Sequence, residues 1–340
     1  MPELRQDPTT KEWIVMATER AKRPDQFRNQ ERAIAPLPAI SCVLCPGNES
    51  QTPREVFAIR DSQAADAPGW RVRVVPNKFP AFMSTAGGQL KPEEMFVSAP
   101  AYGHHEVIVE GPDHGRHLGL MEDREILDVL GAYKKRYEAL RADSKVKLIL
   151  LFRNHGRSAG TSLAHPHSQL VATPIIPLHI RQKYAPAIQH YDDTGRCVYC
   201  ELLEAELAAG KRVVLQSACF AVVHPFASQV PFETWILPKG HNPSFGNVTS
   251  EQLDDLSDVI GKVLRAFNNG LGNPDYNLIV HSAPIEDEHK PYFLWHMEIR
   301  PRLTTVAGFE LGTGIYINTA LPEETAPYLK SLLASGTEAK

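Results

Sequence analysis

Along residues 106–114, "EVIVEGPDH", apolar and polar positions alternate, which predicts a half-buried strand. Residues 233–241, "ETWILPKGH", have the same length, a Pro-containing turn and the same terminal His. Each segment is followed by apolar residues at helical spacing behind an acidic start: "MEDREILDVLGAYKKRYEAL" from Met121 and "SEQLDDLSDVIGKVLRAFNN" from Ser250. Both helices contain Asp-Val-(Leu/Ile)-Gly, ending at Gly131 and Gly261. An apolar strand comes next in each case, "KLILLF" from Lys147 and "YNLIV" from Tyr276. A further strand with a histidine closes each series, "AHPHSQLVATP" and "WHMEIRPRL". Four blocks in the same order imply a duplicated unit.

The expected fold class is therefore α+β: two fused copies of one domain, with helices packed on antiparallel sheets. Residues 1–180 form the first domain and residues 190–335 the second, with a Pro-rich, polar boundary near residues 174–193. A glycine-rich tail from Gly308, "GFELGTGIYIN", lies outside both copies.

With 43% hydrophobic residues the 340-residue chain can bury a real core. Its formal charge of −4 argues against a protein that grips a nucleic-acid backbone, such as a zinc-stabilised binding module. No apolar run approaches the ~18 residues that span a bilayer. The polar start "MPELRQDPTTKEW" lacks a signal-peptide core, so the expected location is cytoplasmic, with neither nucleic acid nor membrane as a partner.

Disulfides are rare in that compartment, so the five cysteines need another role. Cys42 and Cys45 form one Cys-x-x-Cys pair, Cys197 and Cys200 another; Cys219 stands alone as a core residue. Each pair precedes one copy, and each copy offers two histidines. The sets are Cys42, Cys45, His114 and His165, and Cys197, Cys200, His241 and His296. Four such ligands suit a closed, structural zinc site, two per chain. The alternative is reduced, buried cysteines with unrelated histidines.

On a strand, positions i and i+2 face the same side, which aligns His165, His167 and Gln169. Metal on His165 would pin the strand and leave His167 free as a nucleophile. Gln169 offers an amide to a phosphoryl oxygen gaining charge. The small-residue loop "GRSAGTS", residues 156–162, can approach and cradle phosphate. The second copy has Glu298 in the position matched to His167, so one nucleophilic centre per chain is expected.

With these residues in place, the chain resembles the galactose-1-phosphate uridylyltransferase family, nucleotidyltransferases built from two fused histidine-triad (HIT-like) domains. The resemblance spans nearly the whole chain: "DPTTKEWIVMATERAKRP" at 7–24, the Cys42 pair, "VPNKFPAF" at 75–82, "GPDH" ending at His114, and "HPHSQ". It implies that the histidine matching His167 takes the nucleotidyl group from a UDP-sugar, releasing hexose 1-phosphate, and passes it to a second hexose 1-phosphate. It implies that the residue matching Gln169 steadies the covalent intermediate. It also implies nucleotide contacts from Arg20, Arg23, Asn77, Phe79, Asn154, Gly160, Thr161 and Ser162. A homodimer is implied, with the tail around Gly308, Phe309 and Glu310 reaching the neighbouring subunit's sugar phosphate. Lys78 replaces an aspartate of enteric members, and Thr304 a lysine. Those members also hold iron through a carboxylate and extra histidines where this chain has the Cys197 pair. The tail "GFELGTG" looks more like a branch that includes plant ADP-glucose phosphorylase, which makes an ADP-sugar donor and a phosphate acceptor the alternative.

Overall fold

A computed structural model describes residues 2–17, 42–61, 64–87, 91–93 and 95–335. Strands β1 (Glu3–Gln6) and β2 (Trp13–Met16) open the chain. Then come β3 (Phe57–Arg60), β4 (Trp70–Pro76), the short β5 (Lys91–Glu93) and β6 (Phe96–Ser98), and β7 (His104–Val109). Helix α1 (Asp123–Arg141) leads to β8 (Leu148–His155) and β9 (His167–Thr173). Helices α2 (Leu178–Thr194) and α3 (Val198–Ala209) precede β10 (Val213–Gln216), β11 (Phe220–Val223) and β12 (Thr234–Pro238). Helix α4 (Ser250–Leu271), β13 (Tyr276–His281) and β14 (His296–Pro301) follow. The tail supplies α5 (Gly308–Thr313), β15 (Ile317–Asn318) and α6 (Pro322–Ser335).

The duplication appears as one ten-stranded sheet rather than as two separate ones. Its order is β10-β11-β12-β14-β13-β8-β9-β7-β4-β3, which reads the same from either edge once equivalent strands are matched. The antiparallel β8–β13 pair joins the halves, and Phe152 lies opposite Ile279 at its middle. Backbone pairing thus carries the sheet across the seam, where two isolated sheets would each leave an unpaired edge. The stretch read as a Pro-rich boundary is helix α2, with Pro186 inside it.

Both long helices begin as their sequences predict. At α1 the Glu125 carboxylate accepts the Glu122 backbone N–H at 2.8 Å. At α4 Thr249 and Gln252 cap each other at 3.0 and 3.1 Å, and Gly272 ends the helix at φ 70°. The two helices pack together on one face of the sheet. Their apolar stripes, including Ile126, Val129, Leu256 and Val259, meet Leu170 and Ala172 of β9 and Leu278 and Val280 of β13.

Among the described residues, the other face is covered unequally. Over the second half, Tyr184 and Ala187 of α2 and Tyr199 and Leu203 of α3 seal Val223, Trp235 and Leu237 into a second core. Over the first half, Leu44 and the Cys42 pair pack on Trp70 and Val109, with Ala58, Val107 and Leu163 beside them. Strand β9 turns Leu170 and Ala172 to the helices and His167 and Gln169 toward the opposite face.

Candidate active site

Strand pairing corrects the equivalence read from sequence. Gln169 lies opposite Val107 and Phe152, and Glu298 opposite Trp235 and Ile279. Hence Glu298 matches Gln169, and His296 matches His167 rather than His165. Leu294 takes the place of His165. The linear comparison slipped by two residues because a strand keeps the same facing pattern after such a slip.

His167 is buried, and its Nδ1 lies 2.8 Å from the His165 carbonyl oxygen. A carbonyl only accepts, so Nδ1 holds the proton and Nε2 the lone pair. Burial lowers the pKa of His167 below the usual histidine value, opposed by this hydrogen bond. The ring is therefore neutral near pH 7, the form in which imidazole is nucleophilic.

His167 lines a cavity of about 320 Å³ together with Asn154, Gly156, Thr161, Asn273 and Asp275. The second half thus contributes to the first half's site. Asn277 of β13 donates to Asn154 Oδ1 at 2.8 Å. Asp275 accepts the backbone N–H and hydroxyl of Ser158 at 2.7 and 2.5 Å, bracing the small-residue loop. Gly156 has φ 81°, and a Cβ there would fall 1.8 Å from the Asp275 carboxylate, so only glycine fits. Gly160, at φ 93°, ends the short turn 157–159. Ser162 is exposed and outside the cavity wall.

Asn77 and Phe79 flank the open face; Asn77 Oδ1 accepts the Phe79 N–H at 2.9 Å, and the Phe79 ring is 84% exposed. Gly308, Phe309 and Glu310 are not part of the cavity wall of this chain. Glu310 instead caps α5 and accepts the Ile317 N–H. Arg20 and Arg23 lie outside the described residues.

Behind His167 sits a polar group that the sequence did not reveal. Arg153 Nε donates to Glu110 at 2.8 Å, with both side chains buried. Burial alone would lower the pKa of Arg153, but the Glu110 carboxylate outweighs it and raises the value. Glu110 also accepts from Ser168, which contacts the Tyr133 hydroxyl. Glu110 and Ser168 both lie within the strand segments predicted from sequence. Their pairing with Arg153 is a matter of tertiary contact, for which one sequence has no signal. His117 and His155, also on the cavity wall, are both held neutral by burial, His117 at about 4.

The first Cys/His group assembles as expected. Ligand atoms of Cys42, Cys45, His114 and His165 all lie within 4.8 Å of one another. His165 Nε2 donates to the Gly111 carbonyl at 2.8 Å, which leaves the Nδ1 lone pair facing Cys45 Sγ at 3.4 Å. Two sulfur and two nitrogen donors so arranged fit a tetrahedral zinc ion. Burial and the neighbouring Cys42 push the Cys45 thiol up to about 11, a cost that a bound cation would remove.

Among the described residues, the second group gathers Cys197, Cys200 and His241. The Cys200 thiol hydrogen bond brings Cys197 down to about 5, and Cys200 itself moves up. His296 does not join them. Its Nδ1 donates to Leu294 O at 3.0 Å, and its ring stacks between Trp235 and His281 at 5.0 and 4.8 Å. The group is also nearer the surface, with His241 exposed. Both groups could hold zinc; among the described residues the first brings four donors together, three of them buried, and the second brings three.

Comparison with known proteins adds the family. The model of the N-terminal domain of galactose-1-phosphate uridyl transferase matches residues 1–177, and a domain of unknown function matches residues 128–338. ADP-glucose phosphorylase of Arabidopsis thaliana is 34% identical over 97% of this chain and 93% of its own. Galactose-1-phosphate uridylyltransferase of Thermotoga maritima is 28% identical over 97% of this chain and 98% of its own. Among solved structures, the Arabidopsis thaliana ADP-glucose phosphorylase with bound ADP-glucose aligns with a TM-score of 0.82 at 32% identity, over 97% of this chain and 98% of that one. A uridylyltransferase structure aligns with a TM-score of 0.75 at 27% identity, over 99% of both chains. The chain belongs to the galactose-1-phosphate uridylyltransferase family and is a nucleotidyltransferase.

Proposed function

We propose that the protein moves a nucleotidyl group from a nucleotide sugar to a phosphate-bearing acceptor through a covalent bond to His167. The observation that carries this reading is the fixed tautomer: Nδ1–H is spent on the His165 carbonyl, and Nε2 is free beside a cavity. In the first step Nε2 attacks the α-phosphorus of the donor. A P–N bond forms, the P–O bond to the sugar phosphate breaks, and hexose 1-phosphate leaves. In the second step the acceptor oxygen attacks the same phosphorus and the P–N bond breaks. Gln169, Asn77 and the loop around Gly160, Thr161 and Ser162 hold the phosphoryl oxygens and ribose, with Arg20 and Arg23 assisting. Zinc on Cys42, Cys45, His114 and His165 keeps the strand in place, and a second zinc on Cys197, Cys200 and His241 steadies the second half.

The donor we favour is ADP-glucose, with phosphate as acceptor. Support comes from the 34% identity to the ADP-glucose phosphorylase, against 28% for the Thermotoga maritima uridylyltransferase, over equal shares of this chain. The second reading is UDP-hexose:hexose-1-phosphate uridylyl transfer in galactose metabolism, supported by the family match across residues 1–177. The exposed Phe309 and Leu311 suit a homodimer in which each tail reaches the partner's site. Five free thiols suit the reducing cytoplasm.

Incubation with ADP-glucose or UDP-glucose labelled at the α-phosphate, without acceptor, tests the reading. Label that stays on protein in alkali, is lost in acid and is absent from His167→Ala is the expected result. The nucleotide that delivers it identifies the base. No label from either would overturn the covalent mechanism.

A further inference from the structure

We infer that His105 is a positioning residue for the transfer: its ring fixes which way the Gln169 amide faces. The inference rests on His167 being the nucleophile and deepens that reading. On β7, Val107 lies opposite Gln169, and His105, two residues earlier, shares its face. The Ala81 N–H donates to His105 Nδ1 at 3.1 Å. A neutral imidazole has one acceptor and one donor nitrogen, so Nε2 holds the proton. Nε2 lies 2.8 Å from Gln169 Oε1 and donates to it. A flipped Gln169 amide would leave the Nε2 proton with no acceptor among the described residues, because the other group beside it, the Asn77 NH2, is also a donor. Gln169 is thus locked with its NH2 turned away from the ring.

The Asn77 amide is set by its own turn rather than by this ring. Asn77 Oδ1 is taken by the Phe79 N–H, so its NH2 is the atom 3.1 Å from His105 Nε2. A donating Nε2 cannot accept from it. Among the described residues neither amide NH2 has an acceptor of its own. Two half-buried, fixed donors on the nucleophile's face call for an acceptor-rich group, which the phosphoryl oxygens of the donor supply. His105 also accepts the Asn77 N–H on its backbone carbonyl at 2.8 Å, so one residue ties Gln169 to the 77–81 segment.

Two substitutions separate positioning from simple anchoring. In His105→Gln the amide nitrogen falls near the place of Nε2 and keeps the donor to Gln169. In His105→Asn the amide oxygen falls near Nδ1 and keeps only the Ala81 contact. The measurement is the single-turnover rate of label transfer to protein, with KM for the nucleotide sugar and thermal melts in parallel. Removing one aimed donor costs about 10²–10³ in rate, so misaiming it in His105→Asn or His105→Ala is expected to cost about 10–100-fold, with KM within about twofold. His105→Gln should retain most of the rate. In a double-mutant cycle, His105→Ala should add little to Gln169→Ala, because its effect runs through that amide.

Retained activity in His105→Asn with loss in His105→Gln would overturn the inference, as would equal loss in both or additive losses in the cycle. A wild-type protein that takes no label overturns the covalent reading and this inference with it; a labelled wild type leaves the variants to decide on His105 alone.

Discussion

His167 and His296 begin equivalent strands, and in each the ring Nδ1 donates to the carbonyl two residues back, at 2.8 and 3.0 Å. From there the halves diverge. His167 meets a cavity and a loop of small residues. His296 is boxed in by Trp235, His281 and Tyr199 beneath α2 and α3. Next along the strand, Gln169 is a neutral donor, whereas Glu298 is a carboxylate. Burial would raise the pKa of Glu298, but the charges of Lys183 and Arg300 and a 2.7 Å bond to His281 hold it well below the usual range. The backbone sets the histidine's tautomer in both halves; what lies over the ring decides whether that tautomer is chemistry or packing. A carboxylate at Gln169's position would repel the phosphoryl oxygens, and in the second half it serves as the centre of an interior charge cluster instead.

The largest expected effect breaks the comparison directly. His167→Ala should abolish label transfer and leave the melting temperature nearly unchanged. His296→Ala should do the reverse: transfer within about twofold of wild type, and a loss of about 3 kcal/mol in denaturant unfolding, as for other large-to-small core changes. If His296→Ala abolished transfer without destabilising the protein, the second half would not be silent.

The Cys/His groups sharpen the same contrast. Cys42→Ala opens a largely buried set of four, and structural metal binding couples to folding. It should lose one equivalent of zinc, measured by elemental analysis, and melt well below wild type. Cys200→Ala disturbs a more exposed set of three and should cost less stability. Equal losses, or a Cys42→Ala protein that is both metal-free and fully stable, would count against the closed-site reading.

How much of this was legible beforehand follows from the range of each interaction. The helices were readable because capping and apolar spacing are local. Cys42, Cys45, His114 and His165 were readable because thiol pairs and recurring histidines stand out even when far apart. The register of the second half was not, since a slip of two residues preserves strand alternation and only cross-strand pairing with Ile279 and Trp235 exposes it. Helix α2 read as a boundary because Pro186 and polar residues mask a helix held by tertiary packing of Tyr184 and Ala187. His105, Glu110 and Arg153 gain their roles from partners on other strands, which a single sequence does not pair.

An effect on stability rather than on transfer is expected behind His167. Glu110→Ala leaves the Arg153 guanidinium buried and unpaired, and breaking such a pair typically costs about 3–5 kcal/mol. Glu110→Gln, which keeps an acceptor, should cost less. Both are read by urea unfolding. If Glu110→Ala slowed transfer without loss of stability, the group would act on His167 electrostatically rather than by holding the strand.

The smallest effect concerns acid. In the second half, burial alone brings His224 down to about 3, with Thr325 as its hydrogen-bond partner at 2.7 Å. Its unfolded value is near 6.5, so between those values the unfolded chain binds a proton that the folded chain refuses. Stability from this residue is complete above about pH 6.5 and is lost as pH falls toward 3, at about 1.4 kcal/mol per pH unit. His224→Gln keeps a hydrogen-bonding side chain and removes the titration. It should flatten the fall in unfolding free energy between pH 6 and pH 4 by that slope, while the pH profile of label transfer stays as in wild type. A changed transfer profile with an unchanged stability slope would place His224 in the chemistry and undo the division between a reactive first half and a structural second one.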